Sequence, residues 1–114
     1  MIYVKINDIL YPATIEGRTE DRNWDRRESK AITLEMDYAT AVSLFVDDAA
    51  WSIVRQDDSF TDEETGEVVI PEAIEYDNSE FCIAGPITDN RDGTMTIKMG
   101  KYTLEELLLM EVLA

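Results

Sequence analysis

Carboxylates are the reactive groups this chain holds in quantity: 25 Asp and Glu stand against ten Lys and Arg, one cysteine (Cys82) and no histidine. Asp57, Asp58, Asp62, Glu63, Glu64 and Glu67 crowd one short stretch, and a hard cation such as calcium takes oxygen ligands of this kind. The spacing does not follow through, because neither register starting at Asp57 or Asp58 puts glycine at the sixth position and Gly66 comes late. Asp89 to Gly93 also looks like part of a calcium loop, but Arg91 in its middle would oppose a cation, so it reads as a hairpin turn. Two carboxylates can act as acid and base on a glycosidic bond. Here so many pairs exist that no spacing singles one out. Cys82 lies between Phe81 and Ile83 in a strand-like run, the place of a small packed apolar group. A thiolate nucleophile would need a base, and without histidine neither a Cys-His dyad nor a Ser-His-Asp triad can be assembled. The five glycines are dispersed, so no loop is built to cradle phosphate. These residues predict no enzyme, no cofactor and no metal.

The formal net charge is −15 over 114 residues. Between Glu16 and Lys30 five bases (Arg18, Arg22, Arg26, Arg27, Lys30) offset five acids, whereas Asp57 to Glu80 holds ten acids and no base. Such a field repels phosphates and anionic lipid within about a Debye length, so neither nucleic acid nor a membrane is an expected partner. The field suits a solvated surface or a basic protein partner, and its extreme form is an acidic inhibitor that mimics DNA toward a host nucleic-acid-binding protein. The N-terminal residues lack the pattern of a signal peptide, and no apolar run approaches a membrane span. An intracellular protein is expected.

The elements follow from periodicity. Ile2, Val4 and Ile6 alternate with polar neighbours as in a half-buried strand, and Asn7-Asp8 turns the chain into a second strand over Tyr11–Glu16, with Pro12 at a local edge. Gly17–Asp25 is polar and reads as a loop. Lys30–Met36 alternates cleanly. Asp37 stands where a helix N-cap belongs, ahead of an apolar stripe of Tyr38, Ala41, Val42, Phe45 and Val46 that Asp47-Asp48 stops. Trp51–Arg55, Val68–Ile70, Glu80–Ile87 and Thr94–Met99 are further strands, with a bulge at Gly85-Pro86 and a turn closed by Gly93. Asp57–Gly66 reads as a long hairpin or exposed loop. Thr103 and Glu106 form a capping box that opens a C-terminal helix. The whole predicts a single α+β domain over 1–114, mainly antiparallel β-sheet able to curl into a partial barrel, with one internal helix and one C-terminal helix.

That last helix carries the most information. Leu104, Leu107, Leu108, Leu109, Met110, Val112 and Leu113 surround nearly its whole circumference, and Leu109 and Leu113 fall in the arc of Glu105 and Glu106. A helix on the end of a small domain buries about one face on its own sheet. The leucines left over form a contact surface, unless a groove of the domain takes both faces. Trp24, among arginines, is either a second contact anchor or a lid folded back over one end of the sheet.

On these segments the chain resembles small acidic proteins encoded in the tail-gene neighbourhoods of phages and prophages of Gram-positive bacteria. The resemblance rests on Trp24-Asp25-Arg26-Arg27-Glu28-Ser29-Lys30-Ala31-Ile32-Thr33-Leu34, on Leu44-Phe45-Val46-Asp47 with Trp51-Ser52-Ile53-Val54, and on Tyr76-Asp77-Asn78-Ser79-Glu80. It continues through Ala84-Gly85-Pro86-Ile87-Thr88-Asp89, Asp92-Gly93-Thr94 and Lys98-Met99-Gly100-Lys101. These are packing and turn motifs rather than chemistry. They imply a structural or tail-assembly protein without a catalytic site, assembled in the bacterial cytoplasm and carried into the virion or released before maturation. The implied partners are other phage tail proteins or further copies of itself, as a homo-oligomer.

Overall fold

The computed structural model describes residues 1–113, the side chain of Leu113 excepted. Seven strands form one antiparallel sheet: β1 (Ile2–Ile6), β2 (Ile9–Asp21), β3 (Arg27–Glu35), β4 (Trp51–Arg55), β7 (Ile74–Asp77), β8 (Ile83–Asp89) and β9 (Thr94–Gly100). Their order across the sheet is β7-β4-β1-β2-β3-β9-β8. Two further strands, β5 (Phe60–Thr61) and β6 (Val68–Val69), pair only with each other, and the helices are α1 (Tyr38–Leu44) and α2 (Leu104–Leu113). The sheet curls but stays open, with β7 and β8 as its edges, so no barrel closes.

β2 joins the two halves. Its residues 9–12 pair with β1, and its residues from Ala13 onward pair with β3. Pro12 therefore sits where one ladder stops and the next begins, where its missing N–H interrupts neither. The two halves share one core: Val4, Ile6 and Trp51 meet Ile32, Leu34, Phe81, Met95, Ile97 and Met99, with Ala41 and Phe45 of α1 packed on the same cluster. The Trp51 indole N–H donates to the Phe81 carbonyl at 3.1 Å, and the two rings meet edge to face.

Several segments depart from the periodicity. The polar stretch after Glu16 is not a loop: β2 runs on to Asp21 because Gly17, Arg18 and Asp21 pair with Lys30, Ser29 and Arg27. Only residues 22–26 turn, with Asp25 and Arg26 both at positive φ. β7 is an added edge strand laid on β4, and all four of its residues are exposed, so no apolar alternation marks it. α1 ends at Leu44, short of Val46, leaving Tyr38, Val42 and Val46 of the stripe exposed. Asp47 instead accepts the Ala84 amide at 2.9 Å, and the Asp48 amide donates to the Cys82 carbonyl at 2.7 Å, tying the end of α1 to the start of β8. The strand expected over Glu80–Ile87 starts only at Ile83, because residues 78–81 make a turn in which the Phe81 amide donates to the Asn78 carbonyl; Phe81 and the half-buried Cys82 lie outside it, and β6 stops at Val69. Other expected features form. The Asp37 carboxylate accepts the Thr40 amide at 2.7 Å as an N-cap, and β8 is irregular between Ala84 and Ile87 at the Gly85-Pro86 bulge. Asp57–Gly66 belongs to the β5–β6 hairpin.

The radius of gyration is 17.2 Å, against about 13 Å for a compact chain of this length. Among the described residues neither the β5–β6 hairpin nor α2 is packed along any other helix or strand.

Candidate functional site

α2 begins where β9 ends, and its start is built with care. The Thr103 hydroxyl accepts the Glu106 amide at 3.2 Å, and the Glu106 carboxylate accepts the Thr103 amide at 2.8 Å, so the expected capping box forms. The same carboxylate receives a two-pronged bond from the Arg27 guanidinium, at 2.7 and 3.3 Å. Arg27 is only 5% exposed and also donates to the Lys101 carbonyl at 2.9 Å. Its hydrogen bond, more than the Thr103 amide, holds the Glu106 carboxyl below the ordinary carboxylate range, against a smaller opposing effect of burial. Arg27 thus pins the first turn of α2 to the start of β3.

Trp24 completes this mount. Its ring lies 4.9 Å from the Arg27 guanidinium and covers Gly85 and Gly100. A Cβ at either glycine would come within 2.6–2.8 Å of a neighbouring side chain, so only glycine admits the indole there. The Trp24 ring folds back over this end of the sheet and stays half-buried.

A second polar cluster stiffens the same end. Asp21 is fully buried and accepts from Lys98 at 2.8 Å, Ser29 at 3.1 Å and the Asn23 amide at 3.1 Å. The Lys98 bond leads in holding its carboxyl below the usual range, opposed by burial. The ammonium groups of Lys30 and Lys101 flank the Phe81 ring at 4.5 and 5.0 Å. Lys30 also donates to Asn78. Burial lowers the Lys30 pKa; at Lys101 burial acts the same way, but Glu28 and Glu80 outweigh it and raise the value. All four buried polar residues of the described chain, Asp21, Arg27, Ser29 and Asn78, belong to this end of the molecule. None was legible as such, since an aspartate in a polar run gives no sign of burial. The spacing of Arg27 from Lys98 and Glu106 shows only once β3 and β9 are paired.

Beyond its first turn α2 is bare. Leu104, Leu107, Leu108, Leu109, Met110 and Val112 are all exposed, Val112 at 81%. No groove of the domain receives them. The side chain of Leu113, expected on the same surface, lies outside the described residues. A helix of ten residues without tertiary packing is marginal in water, because most helical stability comes from burying an apolar face. α2 is therefore an apolar helix held in position at one end and exposed along its length.

The carboxylate stretch has a different fate. Asp57 pairs with Arg55 at 3.1 Å, and Asp62 accepts the amides of Glu64 and Thr65. Among the described residues no three Cys, Asp or Glu side chains are grouped to hold a metal ion. No helix there is long and apolar enough to cross a membrane. Comparison with protein-family models, with curated proteins and with solved structures finds no match to this chain.

Proposed function

We propose that this chain is a non-enzymatic assembly protein that works through protein contacts, with α2 as the element it inserts into another subunit. One observation carries the reading: a helix apolar around nearly its whole circumference is anchored at its base by Arg27 and Trp24 and covered nowhere else. Exposed apolar surface of this extent on a small acidic domain is a recognition surface, since it is otherwise an aggregation liability. Helix-in-groove docking is the mode that suits it. The resemblance to small proteins of phage tail-gene neighbourhoods supports the same reading, with tail or baseplate assembly as the setting and tail proteins or further copies of this chain as partners. Of the residues of that resemblance, Trp24, Arg27, Gly85, Gly100 and Lys101 build the mount of α2.

A chain ending at Thr103 tests the proposal. It is expected to keep its sheet and its cooperative unfolding while losing association, read as mass by light scattering. Loss of the fold would assign α2 to the core and remove the proposal.

A further inference from the structure

The sheet has two edges, and they are finished differently. On β8 the outward amide of Ala84 is taken by the Asp47 carboxylate at 2.9 Å, Pro86 has no N–H to give, and the strand bulges between Ala84 and Ile87. A proline, a bulge and a spent amide close an edge to further strands. β7 carries none of these. Ile74–Asp77 pairs with β4 in unbroken register, and among the described residues no strand lies on its other side. The Asn78 amide donates to the Trp51 carbonyl at 2.9 Å, which fixes the alternation of the ladder. The main chain of Ile74 and Tyr76 therefore turns to β4, and that of Glu75 and Asp77 turns outward.

The side chains of this edge are as uncovered as its backbone. Val4, Ile53 and Tyr76 stand side by side across β1, β4 and β7. Val4 is fully buried and Ile53 packs on the core, but Tyr76 and Ile74 are exposed, so the apolar face of the sheet runs past the core and ends bare.

Charge says what kind of strand this edge accepts. Ion pairs hold three of the ten acids between Asp57 and Glu80: Asp57 with Arg55, Glu75 with Lys5 and Glu80 with Lys101. The other seven, Glu72 and Asp77 at the two ends of β7 among them, are in no ion pair among the described residues. Lys5 and Arg55, the bases of β1 and β4, are already engaged. A second copy laid edge to edge would set Glu75 and Asp77 against their own kind, which destabilises a strand pair. A strand bearing Lys or Arg meets carboxylates that lack a partner.

We propose that β7 is the docking edge for an extended basic segment of another protein, which joins the sheet through the outward main chain of Glu75 and Asp77. Its Lys or Arg side chains lie on the Glu75–Asp77 face, and its apolar ones, alternating with them, lie beside Ile74 and Tyr76. α2 follows β9, next to the opposite edge, and a chain ending at Thr103 still carries β7, so failure of one surface leaves the other standing.

A peptide of alternating lysine and valine, about seven residues long, is the probe, titrated into the full chain and followed by amide NMR. Binding should raise the exchange protection of the Glu75 and Asp77 amides at least about tenfold. It should also weaken at least about tenfold between about 50 and 200 mM salt. Glu75→Pro removes an outward N–H while sparing the β4 ladder, and should lower affinity about tenfold. The same peptide with a central proline should bind wild type as weakly, a control that needs no variant to fold. No binding up to about millimolar peptide overturns the proposal. So does binding that leaves the Glu75 and Asp77 amides unprotected or that the proline peptide reproduces, since charge alone would then be the attraction. Protection of those amides on raising the protein concentration without peptide would make the edge a contact between copies, and would overturn it as well.

Discussion

α1 and α2 open alike and end differently. Each has a side-chain cap, Asp37 for one and Thr103 with Glu106 for the other, and each is rich in apolar residues. α1 puts part of its apolar surface to use: Ala41 and, at its C-cap, Phe45 enter the core against β8 and β9, while Tyr38 and Val42 stay exposed and Ser43 donates to the Thr40 carbonyl. In α2 no described apolar side chain is buried. Apolar content alone therefore does not attach a helix to its domain. Segregation to one face does, and a helix apolar all round asks for cover that one small sheet does not provide.

That contrast can be broken by substitution. The largest effect is expected from Phe45→Ala, which empties a position only 2% exposed and should cost about 3–5 kcal/mol in urea unfolding. Leu108→Ala in α2 should stay within about 0.5 kcal/mol in the same measurement on the monomer. A comparable loss at both positions would mean that α2 is packed after all. Next comes Arg27→Ala, which removes a buried guanidinium and leaves Glu106 unmatched. It should cost about 1–3 kcal/mol through the lost buried packing and hydrogen bonds of Arg27, and weaken the helical signal of α2 as well.

Acid should act on the mount. The Asp21 and Glu106 carboxyls are held below their ordinary values of 3.8 and 4.5, so their contribution is fully present above those values. It is lost as pH falls through the lowered values of the folded state, where both carboxylates take up protons. Urea midpoints from pH 6 to pH 2 should therefore fall, and Glu106→Gln should fall less steeply than wild type. Parallel curves for the two proteins would remove Glu106 from that balance. A smaller effect than that of Arg27→Ala belongs to the cap. Thr103→Ala should reduce α2 helicity by about 1 kcal/mol while leaving the urea midpoint of the sheet in place, whereas Asp37→Ala at the start of α1 should lower that midpoint.

Much of the scaffold was legible because its strands alternate. Ile32 and Leu34 in β3, and Met95, Ile97 and Met99 in β9, are buried as their spacing requires. The Gly85-Pro86 bulge and the Asp89–Gly93 turn follow from residues that favour those conformations, Gly93 lying at φ 90°. The polar tail of β2 and the edge strand β7 were not legible. Their order comes from the neighbouring strand and not from side-chain burial, and pairing partners far apart in sequence leave no local period. The candidate site divides along the same line. The leucines of α2 are visible as a pattern in one short segment. Its mount needs Trp24, Arg27, Gly85, Gly100 and Glu106 brought together from four places, which only the fold accomplishes.

The central claim is that α2 is a contact element outside the cooperative core, and hydrogen exchange by NMR tests it most directly. In dilute protein the amides of Leu108–Val112 should exchange orders of magnitude faster than those of Ile97 and Met99 in β9. On concentration into the assembled state, protection should rise at α2 and change little at β9. Contradiction would come from α2 amides as protected as those of β9 in the dilute monomer, which would make the helix part of the fold rather than its point of contact.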